Sequence, residues 1–170
     1  MESKVFYRRI SYPLWPTAEE IISYEKSKNS FPLSSVNIDF RSKDNTLSLW
    51  QLSTPMEAAV AMVNNNSRFE DMFFVKIPVE KLEEKKINYI QENGNSLFNE
   101  YNGNHFNITN VNYFYLGEII ELILSAIKSG EYEIITSHEL KKYIKNLVDS
   151  NQFNIKTLPK PLQEQVLLVK

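Results

Sequence analysis

The sequence predicts an α+β fold: a single domain with one mixed or antiparallel sheet packed by three to five helices. Three observations carry that expectation. Short runs rich in aromatic and β-branched residues recur at strand length, as in Lys4–Ser11 and Met72–Ile77. Three helix starts are written as capping boxes, Thr17 with Glu20, Thr54 with Glu57 and Thr136 with Glu139. Strands and helices alternate without a steady βαβ rhythm, which argues against a doubly wound parallel sheet.

The first strand is expected over 4–11. The "YPLWP" segment after it breaks the ladder, because proline cannot donate to it. A helix follows at about 17–28. Residues 35–42, "SVNIDFRS", alternate Val36, Ile38 and Phe40 against Asn37, Asp39 and Arg41, a half-buried strand or extended loop. After the "KDNT" turn, "LSLWQL" places Leu47 and Leu49 on one face and Ser48, Trp50 and Leu52 on the other. The clearest boundary is "STPMEAAVAMV": Thr54 caps, Pro55 opens the helix, Glu57 closes the box, and the Ala-rich run has high helix propensity. A strand over 72–77 stops at Pro78. A helical turn over 79–86, a strand over 87–90 and a loop or wide hairpin over 91–104 with two Asn-Gly pairs come next. Residues 105–116 alternate like a strand. An amphipathic helix runs over 117–128, stopped by Gly130. A strand over 131–136 and a helix from Thr136 complete a domain of residues 1–155. Residues 156–170 read as an extension with an apolar end, Val166 to Val169, packed on the domain as an edge strand or placed at an interface.

Composition excludes several functions. The 170 residues are 42% hydrophobic and 24% charged with net charge −2, so no strongly basic field exists to hold nucleic acid non-specifically. There is no cysteine, which removes disulfides, thiolate zinc sites and a thiol nucleophile together. The chain lacks a signal peptide's apolar segment and any run near the ~18 apolar residues that cross a bilayer, so a cytoplasmic location and no membrane contact are expected. Asparagine makes up about one residue in ten, which with many Lys and Ile points to an AT-rich bacterial or phage coding sequence.

Candidates for chemistry are few. The two histidines, His105 and His138, lie on different elements with no metal-ligand spacing, and no phosphate-binding glycine loop or nucleophile elbow is present. Arg8 and Arg9 on the first strand point to opposite faces. One would be solvated or paired at the sheet edge. The other would be an anion clamp, since guanidinium meets phosphate in a two-pronged way. In "YPLWP", Tyr12, Leu14 and Trp15 are either exposed binding anchors or a plug for one end of the core.

The order of an opening arginine-bearing strand, a helix, "LSLWQLSTPMEAAVAMV", "MFFVKIPVEKL" and "HFNIT" resembles the ADP-ribosyltransferase-like fold, over residues 4–120. That resemblance implies a split sheet that binds NAD. It implies an arginine or histidine on the first strand to hold the dinucleotide, here Arg8 or Arg9, and a Ser/Thr after the second motif strand, here Ser53 or Thr54. A late glutamate would orient the ribose, here Glu100 or Glu118, neither of which stands in the family's acidic motif.

Two readings result. One is a non-enzymatic cytoplasmic protein without cofactor that binds another macromolecule, a protein partner, of the immunity, antitoxin or defence-inhibitor type, with Tyr12, Leu14, Trp15 and Arg9 in the contact; a homodimer is open. The alternative is an NAD-using ADP-ribosyltransferase-like toxin or modifying enzyme with Arg8, Arg9, Ser53, Thr54 and Glu118 in its site. Nucleic-acid binding, resting on "KKYIK" and similar runs, comes last, because such runs usually form solvated helix faces.

Overall fold

Alternating residues of the strands feed two separate apolar layers, and the sheet between them is antiparallel throughout. The structure is a computed structural model and describes residues 4–11, 14–27, 39–40, 46–63 and 68–169. In chain order its elements are β1 (Val5–Ile10), α1 (Ala18–Ser27), β2 (Leu47–Trp50), α2 (Pro55–Ala61), β3 (Met72–Pro78), α3 (Val79–Glu84), β4 (Tyr89–Gln91), β5 (His105–Ile108), α4 (Tyr113–Lys128), β6 (Tyr132–Ile135), α5 (Ser137–Asp149) and α6 (Lys160–Leu167). Short 3₁₀ turns occupy Asn99–Asn104 and Ile155–Thr157. The six strands lie in the order β4-β5-β2-β1-β3-β6.

One layer packs Phe6, Ile10, Leu47, Leu49, Phe73 and Val75 against Ile21 of α1 and Ile119, Ile123 and Ile127 of α4. The other packs Tyr7, Trp50, Met72 and Phe74 against the wholly buried Ala58–Ala61 of α2, Leu140 and Ile144 of α5, and Leu162 and Val166 of α6. The small side chains of α2 let it lie directly on the sheet.

All three capping boxes form. Thr54 Oγ1 accepts from Glu57 N at 3.2 Å while Glu57 Oε2 accepts from Thr54 N at 3.1 Å, and Thr17 and Thr136 repeat the pattern. Three elements depart from the sequence reading. The strand expected over 105–116 ends at Ile108, because Asn110 turns at φ 55° and Asn112 caps α4 four residues before the expected start, accepting from Phe114 N and Tyr115 N. The C-terminal run is a helix, not an edge strand: Pro161 sits in its first turn, where no N–H is needed, and Leu162 and Val166 recur at i, i+4 and are buried. It packs on the domain and brings the α-helices among the described residues to six. The strand or loop expected over 35–42 lies outside the described residues except for Asp39 and Phe40. No helix among the described residues is long and apolar enough to cross a membrane.

Candidate functional site

The sheet is nearly divided in two. β1 pairs with β3 over six residues and β2 with β5 over four, but among the described residues β1 and β2 share the Tyr7–Trp50 pair alone. Beyond that pair the strands part. Lys4, Val5 and Tyr7 on one side, Gln51, Leu52 and Ser53 on the other, and Asn104 line an open cleft of about 560 Å³. Gln51 N donates to Asn104 O at 2.9 Å, so the end of β2 stays with the entrance of β5 and leaves β1.

The segment 92–104 supplies the wall behind Asn104. Asn102 Oδ1 accepts from Ser96 N at 2.7 Å, and Gly94 N donates to Asn102 O at 2.8 Å. Gly94 lies against the indole of Trp50: a Cβ there would meet Trp50 Cη2 at 2.6 Å and His105 Cβ at 3.0 Å, so only glycine fits without displacing that buried ring. His105 is half-buried edge-on to Trp50, with ring centroids 4.9 Å apart, and its Nδ1 lies 3.3 Å from Glu92 O. Burial holds its pKa below 6.5, partly offset by that carbonyl.

The cleft's chemistry is one ammonium, one hydroxyl, two carboxamides and a phenol. Burial raises the Tyr7 phenol; Lys76 lowers it, and Glu133 and Glu57 raise it further, so it stays protonated at neutral pH and can donate. Glu57 lies behind the rim, with Oε2 bound to Ser53 N at 3.0 Å and to Thr54 N. It also helps raise Tyr101, which burial above all, and then Tyr143, push to about 12. Among the described residues no carboxylate lines the cleft itself.

Of the described residues singled out as site candidates from sequence, Ser53 alone is in this lining. Thr54 is engaged as the α2 cap. Arg8 and Arg9 do point to opposite faces, and neither reaches the cleft. The Arg8 guanidinium donates to Ser48 O at 2.8 Å and to Asp39 O, while its buried Nε finds no hydrogen-bond partner. Burial pushes it down to about 10, with Asp39 acting in the other direction; at neutral pH it is a charged brace between β1, β2 and the Asp39 turn. Arg9 pairs with Glu70 at 3.2 Å beside a second cavity of about 540 Å³ that also meets Asp39 and Asp71. Glu70, Asp39 and Asp71 give that cavity an acidic lining beside the Arg9 guanidinium. Glu118 is on α4 in an ion pair with Lys85, and Glu100 is exposed in the 3₁₀ turn Asn99–Asn104.

Trp15 is 3% exposed, and its Nε1 donates to Asp39 Oδ2 at 2.5 Å; it is a plug of the core and offers no free anchor. Leu14 is 38% exposed, and Tyr12 lies outside the described residues. Asn107 is buried and donates to Glu92 Oε2. No group of three or more His, Asp or Glu among the described residues is placed to hold a metal.

Tyr7, Gln51, Asn104 and Lys4 escaped the sequence reading. Tyr7 is one aromatic among the packing residues of a strand, and the other three are ordinary polar residues at strand ends. Only the point where the sheet divides gives them a common purpose. No family model, no curated protein and no solved structure matches the chain.

Proposed function

We propose that the cleft where the sheet divides is a binding site for NAD or a related nucleotide, of the ADP-ribosyltransferase-like kind, and that the protein binds this ligand without transferring ADP-ribose. The carrying observation is the single Tyr7–Trp50 rung between the two half-sheets, with Ser53 and a nucleotide-sized opening beside it. Lys4 supplies one positive charge for a phosphate, and the carboxamides and hydroxyls supply neutral hydrogen-bonding groups for sugar and base. Transfer chemistry needs a carboxylate at the ribose. Among the described residues the cleft is lined by carboxamides and no carboxylate, and Arg8, Arg9 and Glu118 are engaged elsewhere.

Titration calorimetry with NAD tests this. The wild type is expected to bind, Lys4→Ala and Asn104→Ala each to weaken binding about tenfold or less, and NAD to remain intact on long incubation. Absence of heat from folded protein would remove the site; steady release of nicotinamide would remove the non-catalytic part.

A second reading, a protein that engages a macromolecular partner, is supported by a different observation. Tyr113 and Phe114, at the start of α4, are 97% and 74% exposed, and aromatic side chains are the usual anchors of interfaces. Capture from a host lysate with wild type and with the Tyr113→Ser, Phe114→Ser double variant should differ by one specific protein. Identical captured sets would count against this surface.

A further inference from the structure

We propose that β6 is a homodimer edge, across which two copies of this chain pair antiparallel to extend the sheet. β6 is the last strand on its side and hydrogen-bonds only to β3. Lys76 N donates to Glu131 O, and the register pairs Phe74 with Glu133 and Met72 with Ile135. Bonded and non-bonded pairs alternate in an antiparallel ladder. Glu131, Glu133 and Ile135 therefore direct their backbone groups to β3. Tyr132 and Ile134 direct theirs outward, two N–H and two C=O groups without a strand partner among the described residues.

The same two residues carry exposed apolar side chains, 38% for Tyr132 and 48% for Ile134. Tyr132 stacks on Phe73 at 4.9 Å, and both residues border a groove of about 220 Å³ walled by Trp15, Pro16 and Ile127. An unpaired backbone row beside an apolar groove calls for a strand as occupant.

The row complements itself. A two-fold axis at Glu133 sets Tyr132 opposite Ile134 of the second copy, and Ile134 opposite its Tyr132. That makes four backbone hydrogen bonds and two aromatic–β-branched cross-strand pairs on one face. On the other face Glu133 meets its own copy. Each carboxylate arrives already paired with Lys76 at 2.9 Å, so charges of both signs meet there and the like-charge cost is offset.

Sedimentation equilibrium of the wild type should show a monomer–dimer equilibrium. Ile134→Lys, which adds a charge to each central pair, should lower the association constant about tenfold or more, with the thermal melt of the monomer little changed. Because the chain has no cysteine, Glu133→Cys gives an independent readout that holds even if the lysine variant misfolds. Its two copies would face each other at a non-bonded pair, within the Cα separation a disulfide needs. Mild oxidation should give a covalent dimer rapidly, whereas Leu167→Cys, exposed elsewhere, should not. A wild type that stays monomeric at its highest soluble concentration overturns the proposal. So does a dimer that survives Ile134→Lys, or cross-linking no faster at position 133 than at 167.

Discussion

Phe98→Ala is expected to lower the unfolding free energy by about 3–5 kcal/mol, the range for removing a fully buried phenylalanine. The Phe98 side chain is 0% exposed. Its ring stacks on Phe153 with centroids 3.9 Å apart and planes 18° from parallel, and it tilts against Tyr101 at 6.4 Å. It therefore ties the 92–104 segment to the chain between α5 and α6. Its backbone N–H is held by Ser96 Oγ at 3.1 Å, so the neighbourhood cannot collapse freely into the vacated space, and the cavity cost adds to the lost transfer energy. The same ring anchors the 3₁₀ turn that ends at Asn104, so loss of stability and loss of cleft geometry should come together. Denaturant titration measures the first; a loss below about 1 kcal/mol would show that the ring is not the anchor described.

Asp39→Ala is the second large effect, a loss of about 3 kcal/mol. One carboxylate there accepts from Ser11 N at 2.8 Å, from Ser11 Oγ at 2.6 Å and from Trp15 Nε1 at 2.5 Å. Its own carbonyl accepts from the Arg8 guanidinium. Removing the carboxylate strands the buried indole N–H and withdraws the negative charge that helps keep Arg8 protonated inside the sheet. Trp15→Phe, which deletes one donor and keeps most of the packing, should cost less than half as much. Equal losses from the two variants would show that packing of the indole, and not the carboxylate, holds this corner.

The fold was legible in sequence where a local rule had no competitor. Capping boxes placed α1, α2 and α5 within a residue or two, because a side chain three places from its partner needs nothing distant to make its hydrogen bond. Legibility failed where two local patterns overlapped. "NVNYFYL" alternates like a strand, yet Asn112 offers its side chain to two N–H groups and starts a helix that exposes Tyr113 and Phe114 in order to bury Ile119 and Ile123. The tail failed for the opposite reason: the run Val166 to Val169 is apolar enough for an edge strand, and Pro161 falls where a helix tolerates a proline. The site was less legible than the fold. Arg8 and Arg9 drew attention as charges, but their partners, Asp39 with Ser48 and Glu70, are 31 to 61 residues away in sequence. The cleft depends on where two strands stop pairing, which no single stretch of sequence records.

That lone rung between β1 and β2 has a mechanical meaning. Where backbone pairing between β1 and β2 gives out, side chains hold the two halves together: Leu47 and Leu49 pack with Phe6 and Ile10 on one face, Trp50 with Tyr7 on the other, and Arg8 reaches from β1 to Ser48 O. A ligand seated in the gap would act as mortar at the strand ends, joining Lys4 and Tyr7 on one side to Gln51 and Ser53 on the other where no ladder bond does so.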